Sequence, residues 1–172
     1  MEVIRRRAWT LVAALLVAPP AARPDEPPVI EHQPNPCTVP ENPFAICAAV
    51  RDDMEVAKAR IYFRPEGEKY YSIVEMAFGG ITYCGTLPAP RQGKLKAVEY
   101  YIQAVDDQYQ SQRTSTFRII VQPEGVCEFP PVEKDPRRAA SIVVHATHWK
   151  QGKKLPGGFV GTGVSFVPAT GQ

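Results

Sequence analysis

The middle of the chain alternates between apolar and polar residues with a period of two, and this alternation constrains the fold more than any other feature. Neighbouring side chains of a β-strand point to opposite sides of a sheet, so the period indicates half-buried strands rather than helices. The alternating runs are also rich in aromatic and β-branched residues, which pack well on pleated sheets. Strands are therefore predicted over the segments 44–50, 59–64, 71–76, 81–87, 98–104 and 116–121.

Turn-forming residues separate these runs at spacings of about ten residues. The turns include Arg51-Asp52-Asp53, Pro65-Glu66-Gly67, Gly79-Gly80 and Asp106-Asp107-Gln108. One further strand is expected between residues 29 and 39, which brings the count to about seven. Short strands at this spacing, over about one hundred residues, are typical of an antiparallel two-sheet sandwich. The sequence therefore predicts an all-β fold.

The prolines divide the chain into a folded unit and two arms. Of the 18 prolines, nine lie between Pro19 and Pro43 and six between Pro123 and Pro168, which leaves the middle proline-poor. Proline removes a backbone donor and is rare inside central strands. We therefore expect a proline-rich N-terminal arm over 23–43, a sandwich over 44–128 whose first strand begins near residue 29, and a β-rich tail or hairpin over 129–172.

The first 22 residues have the three parts of a secretory signal peptide. Arg5, Arg6 and Arg7 precede an apolar run over 8–18, which is too short to cross a bilayer as a helix. An uncleaved anchor is the alternative interpretation. Without these residues the chain has 17 basic and 17 acidic side chains, because three of its 20 Lys and Arg and one of its 18 Asp and Glu are removed. This balance predicts no nucleic-acid partner and no membrane insertion after signal removal.

All four cysteines lie in the mature chain, which is expected in the periplasm or outside the cell. An even number of cysteines in an oxidising compartment predicts two disulfides. The separations of 10, 37 and 43 residues contain no Cys-x-x-Cys spacing, which argues against a metal site. Four cysteines allow three pairings, and the count alone does not choose among them.

Three stretches resemble bacterial immunoglobulin-like and fibronectin type III-like modules. Val50–Arg64 resembles their B-to-C strand region, Gly80–Pro90 their E strand and the link after it, and Val98–Asp106 their F strand and FG turn. The resemblance implies that strands B and E are neighbours in one sheet. It says little about function, because such modules serve many unrelated roles.

This implied topology favours one pairing of the cysteines. If Ile46 and Tyr83 point inward, Cys47 and Cys84 lie on the outer face of adjacent strands, where opposed β-carbons are about 5 Å apart. Cys37 precedes the core strands and Cys127 follows them. The resemblance therefore implies the disulfides Cys47–Cys84 and Cys37–Cys127.

Two acidic pairs lie in loops that the resemblance places at one end of the sandwich. These are Asp52 and Asp53, and Asp106 and Asp107. Four carboxylates close together would suit Ca²⁺, which takes six to eight oxygen ligands. The alternative is turn chemistry, because Asp side chains accept hydrogen bonds from nearby backbone N–H groups. No further cofactor is predicted.

The outward residues of the predicted strands over 59–64 and 98–104 form a candidate binding face. Aromatic rings flanked by hydrogen-bonding and charged groups suit the recognition of a protein or of an envelope polysaccharide. Cross-strand pairing on a solvated sheet is the structural alternative. The face comprises Arg60, Tyr62, Arg64, Tyr101 and Gln103.

No catalytic motif is recognisable, and loops of a small sandwich offer little room to exclude water, so an enzyme is not expected. We expect a non-catalytic binding or structural module of the cell envelope. The alternative is an accessory or inhibitory subunit of a secreted enzyme, acting through an edge strand and the C-terminal tail. A small hydrolase with an unrecognised site is the third class.

Overall fold

The structure is a computed structural model that describes residues 25–128, 131–148, 157–161 and 164–169. The predicted signal peptide, residues 1–22, lies outside these ranges. The described chain is almost entirely β, with one short helix, α1 (Pro136–Ala140). The strands are β1 (Val29–Glu31), β2 (Cys37–Thr38), β3 (Phe44–Arg51), β4 (Val56–Pro65), β5 (Ser72–Glu75), β6 (Ala77–Phe78), β7 (Tyr83–Leu87), β8 (Ala89–Pro90), β9 (Ala97–Asp106), β10 (Ser111–Arg113), β11 (Phe117–Val121), β12 (Val143–Ala146), β13 (Phe159–Val160) and β14 (Ser165–Pro168).

The strands form two large sheets and one small one. The first sheet has the order β1-β3-β7-β6 and is antiparallel. The second sheet has the order β14-β12-β5-β4-β9-β11-β2, with β10 also paired to β9. Strands β8 and β13 form the small third sheet. The all-β prediction is thus confirmed, and each of the six predicted central strands is present with its ends shifted by three residues or fewer.

The two large sheets face each other across one core. From the second sheet, Ile61, Phe63, Tyr100 and Ile102 point inward and are fully buried. From the first sheet, Phe44, Ile46 and Leu87 meet them in the same cluster of apolar side chains. Alternation along each strand therefore has the predicted effect: one face fills the core and the other faces outward.

A glycine sets how closely the two sheets approach at β7. A β-carbon on Gly85 would lie 2.6 Å from Cδ1 of Ile61, a side chain of the opposite sheet. The same atom would lie 3.4 Å from the Glu75 carbonyl oxygen and 3.4 Å from Cγ of Met76. The position therefore needs glycine for space.

The segment between Val29 and Val39 forms two strands instead of the single one expected. Strand β1 pairs antiparallel with β3 in the first sheet, and β2 pairs parallel with β11 in the second. Pro34 and Pro36 lie between them. Because proline has no N–H to give to a ladder, the chain leaves one sheet there and joins the other.

The tail takes part in the core. Strand β12 pairs with the edge strand β5, and β14 pairs parallel with β12. Ile142, Val144 and Phe159 are buried in the main core cluster, and the Phe159 ring meets Phe63 edge to face with centroids 5.4 Å apart. The expected antiparallel sandwich of about seven strands was too simple. The tail and the divided N-terminal segment add strands, and each contributes one parallel pair.

Two disulfides join all four cysteines, in the same pairs that the sequence analysis favoured. Cys37–Cys127 is buried, spans 90 residues and has a Cα–Cα distance of 5.9 Å. Cys47–Cys84 joins directly opposed residues of β3 and β7. One bridge ties the two ends of the central unit together, and the other crosses the first sheet.

Of the helical segments in the described ranges, none is long and apolar enough to cross a membrane.

We predict that the tail is needed for stability of the whole domain. Replacing Val144, which is fully buried, by Asp places an unpaired charge in the core and should lower the free energy of unfolding by about 3 kcal/mol or more. Its neighbour Val143 is 41% exposed, and Val143→Asp should change stability by about 0.5 kcal/mol. Urea unfolding of the two variants measures both values. Equal effects would show that β12 does not pack in the core.

We predict a coupling between Gly85 and Ile61. Gly85→Ala should destabilise the protein by about 1–3 kcal/mol, because its new methyl group overlaps Cδ1 of Ile61. Ile61→Val removes that atom and alone should cost about 0.5–1.5 kcal/mol. The double variant should lose less stability than the sum of the single variants, as measured by a double-mutant cycle. Additive losses would contradict the close approach of the two sheets here.

Candidate functional site

The structure brings the predicted binding face together on the outer side of the second sheet. We call this set, Arg60, Tyr62, Arg64, Tyr101 and Gln103, the tyrosine face. Register places Tyr62 opposite Tyr101 and Arg60 opposite Gln103. The two tyrosine rings are stacked, with centroids 4.7 Å apart and planes 6° from parallel.

Residues of the tyrosine face contact charged and aromatic side chains of the same sheet. Arg64 donates from Nε to Glu99 at 2.7 Å, and its guanidinium lies 4.4 Å from the centroid of Tyr71. Arg60 pairs with Glu75 at 3.3 Å. The Tyr71 ring in turn meets Tyr101 edge to face, with centroids 5.1 Å apart.

These contacts cover the rings that a ligand would need. Tyr62 is only 7% exposed, so its ring offers no flat surface to solvent. Burial also raises the pKa of Tyr101, and the nearby Tyr62 acts in the same direction. A platform for a sugar requires an exposed aromatic ring face. The geometry of the tyrosine face is therefore that of cross-strand packing.

Two of the four aspartates of the acidic pairs accept backbone hydrogen bonds within turns, as turn chemistry predicts. Asp106 is 1% exposed, and its Oδ1 accepts from the N–H groups of Gln108 at 2.9 Å and Gln110 at 2.7 Å. Asp52 accepts from the Met54 N–H at 3.0 Å. In the described ranges, which include Asp53 and Asp107, no three or more His, Cys, Asp or Glu side chains are grouped so that they could hold an ion.

Three short loops lie at one end of the molecule, and we call them the loop end: residues 52–55, 79–82 and 107–110. Loop 52–55 joins β3 to β4, and loop 107–110 joins β9 to β10. The pairings Val56 with Asp106 and Ala48 with Tyr83 place all three loops at the same end of the two sheets. The Asp107 N–H also donates to the Glu55 carbonyl at 3.2 Å, which ties two of the loops together.

Each loop of the loop end presents one large apolar side chain to solvent. Met54 is 70% exposed, and Ile81 and Tyr109 are each 87% exposed. These are the highest values among the large apolar side chains in the described ranges. The three loops also contain four carboxylates and no Lys or Arg. The loop end is thus apolar at its tips and acidic between them.

The backbone holds Tyr109 in an unusual conformation. Its φ is 67°, in the left-handed region that a bulky side chain rarely adopts. The Tyr109 N–H donates to the Asp106 carbonyl at 3.4 Å, and the buried Asp106 carboxylate holds the residues on both sides of Tyr109. Such outliers persist only where the surroundings impose them, and they concentrate at functional sites.

The sequence around each of these three residues contains turn-forming residues, and this is a signal for their exposure. Met54 follows two aspartates, Ile81 follows two glycines, and Tyr109 follows Asp-Asp-Gln. A turn has no inward side for a large apolar residue, so such a residue within turn-forming sequence is expected to be exposed. Strand periodicity identifies the inner face of a sheet, so it passes over Met54 and Tyr109 and places Ile81 wrongly at the start of the predicted strand over 81–87.

His32 links the N-terminal arm to the core. Its Nδ1 lies 2.8 Å from the Cys47 carbonyl oxygen and its Nε2 lies 2.7 Å from the Tyr100 hydroxyl. A carbonyl only accepts, so Nδ1 carries the hydrogen and Nε2 accepts from the tyrosine O–H. Burial lowers the pKa of His32, while the hydrogen bond to Cys47 acts in the opposite direction. Burial also raises the pKa of the Tyr100 hydroxyl.

Comparison with known proteins adds no assignment. No model of a known protein family matches the chain, and no curated protein matches it.

We predict that His32 makes stability depend on pH. Its pKa is lowered in the folded state, so the unfolded chain binds the proton more readily, and stability falls as pH drops below the ordinary value of 6.5. His32→Gln should cost about 1–3 kcal/mol at pH 7.5 through its lost hydrogen bonds, and this cost should shrink towards pH 5. Urea midpoints of both proteins across this range provide the measurement. A cost that is constant with pH would show that His32 does not titrate differently on folding.

Proposed function

We propose that the chain is an exported, non-catalytic binding module that recognises a protein partner through the loop end. The observation that carries the proposal is the exposure of Met54, Ile81 and Tyr109, one on each of three loops at the same end. Aromatic residues and Met are enriched in protein interfaces, where they supply most of the apolar contact area. Each of the three leaves apolar surface in water that a protein partner would bury.

The charges of the loop end define the chemistry of the partner. Its four carboxylates are Asp52, Asp53, Glu55 and Asp107, with no cation in the same loops. An acidic rim around apolar tips is complementary to a basic protein surface that has apolar pockets. Complementary charge accelerates encounter and orients the complex, and the apolar tips supply the affinity.

The loops are short and held by the sheets, which reduces the entropy lost on binding. Loop 79–82 closes with a 2.8 Å hydrogen bond from the Gly79 N–H to the Thr82 carbonyl, and Gly80 provides the φ of 95° that the turn requires. The buried Asp106 carboxylate holds the third loop. A preorganised surface keeps more of its contact energy as affinity.

An immunoglobulin-like or fibronectin type III-like fold and export are part of the proposal. Pairing of β3 with β7 agrees with the B–E neighbours that the resemblance implies. The charged and apolar pattern over residues 1–22 supports export, as do two disulfides that leave no cysteine free. The proposal excludes catalysis because nothing at the loop end resembles a catalytic group set.

Two other interpretations have less support from the geometry. Polysaccharide recognition would use the tyrosine face, where Tyr62 is buried. For an accessory subunit acting through its tail, β14 lies at the edge of the second sheet and could pair on its outer side, whereas β12 is paired on both sides, with β5 and with β14. We therefore favour a protein partner at the loop end.

We predict that truncating the exposed tips abolishes partner capture. The tagged mature chain is used to isolate partners from its native envelope and secretions, and Kd is then measured for the protein retained. Tyr109→Ala, Met54→Ala and Ile81→Ala should each weaken binding about ten-fold or more. Affinity should also fall as salt rises, and Asp53→Lys should weaken it further.

Matched controls lie at the opposite end of the sheets. Tyr70 and Val126 are 48% and 59% exposed, so Tyr70→Ala and Val126→Ala remove similar side chains and should leave Kd unchanged. Retention on insoluble polysaccharide that is lost with Tyr101→Ala but kept with Tyr109→Ala would assign recognition to the tyrosine face. Equal losses for loop and control variants would overturn the proposal.

A further inference from the structure

The two disulfides have different access to solvent. Cys37 and Cys127 are 7% and 5% exposed and share a small apolar cluster with Val39. Cys47 is exposed and Cys84 half-buried on the outer face of the first sheet, where they are directly opposed. A nucleophile in solution reaches only the second bridge without local unfolding.

Small side chains surround the exposed bridge. Its outward neighbours along β3 are Ala45 and Ala49, and Ala77 of the edge strand β6 is paired with Cys84. A cleft of about 400 Å³ between β5, β7, α1 and β12 also reaches Cys84. The strand neighbours of the two cysteines are therefore small, and Arg138 and His145 line the cleft beside Cys84.

We propose that Cys47–Cys84 is a site of thiol–disulfide exchange with an external dithiol. This inference is independent of the proposed function. The dithiol's thiolate attacks Sγ of Cys47, which is the more exposed residue of the two, and forms a mixed disulfide with it. The bond between Cys47 and Cys84 breaks, and its electron pair leaves on the Cys84 sulfur, which then takes a proton from water.

The second step completes the exchange. The second thiolate of the dithiol attacks the dithiol sulfur that is bonded to Cys47. An internal disulfide closes in the dithiol, which is thereby oxidised, and Cys47 is released as a thiolate that is then protonated. Two electrons and two protons thus pass to the protein. The Thr82 hydroxyl lies 3.7 Å from Sγ of Cys84 and is placed to donate to it, which favours Cys84 as the leaving thiolate.

The sheet remains when this bridge opens. Strands β3 and β7 are paired from Phe44 with Leu87 to Ala48 with Tyr83, so the backbone ladder holds the two cysteines opposite each other without the covalent bond. Reduction therefore yields a folded protein with two neighbouring thiols on its surface.

The test is reduction of the folded protein with dithiothreitol, quenched by N-ethylmaleimide and mapped by peptide mass spectrometry. Cys47 and Cys84 should be labelled about ten-fold or more faster than Cys37 and Cys127, with the far-ultraviolet circular dichroism unchanged. Thr82→Val should slow this labelling several-fold. With glutathione as a monothiol, the mixed disulfide should form on Cys47.

Variants with one bridge identify the fast phase. Cys47→Ser with Cys84→Ser should remove it, and Cys37→Ser with Cys127→Ser should keep it. Equal labelling of all four cysteines, or labelling only when the circular dichroism is lost, would overturn the proposal. A glutathione adduct mainly on Cys84 would overturn the direction of attack.

Discussion

Pairing of β4 with β9 is the constraint on which the rest of the structure depends. Its register runs from Val56 opposite Asp106 to Pro65 opposite Val98, with one irregularity near Val56. This register directs Ile61 and Phe63 into the core, and it stacks Tyr62 on Tyr101 outside. A slip of one residue would exchange the two faces and bury Arg60 and Arg64, which explains why the alternation specifies the sheet so strongly.

Along the same two strands, some residues stabilise the fold through contacts with one another, and others are exposed to solvent and free to bind. Outward residues of the second sheet contact one another, as Arg64 does with Glu99 and with Tyr71. At the end of the ladder, Asp106 is buried and supports a loop, while Tyr109, three residues later, is almost fully exposed. Neighbouring residues of one turn thus have opposite roles, and burial distinguishes them.

The sequence allowed the central strands to be predicted, because their alternation reports directly which side chains face the core. The topology that the resemblance implied was enough to favour Cys47–Cys84 as a pair. Alternation does not report what covers an outward residue, so Tyr62 was predicted as exposed and is buried. Alternation also does not report which sheet edge is joined by a segment that is distant in sequence. For this reason the docking of β12 on β5 and the division of β1 from β2 appeared only in the structure.

The position of Phe159 in the core has a consequence for biosynthesis. The Phe159 ring packs against Phe63, which lies far earlier in the chain. Ile142 and Val144 are buried in the same core. A nascent chain that ends before these residues lacks part of its hydrophobic interior and exposes the edge of β5. Contacts of such long sequence separation form slowly, because loop closure must precede them. The native core is therefore completed only after the segment over 142–159 has been synthesised.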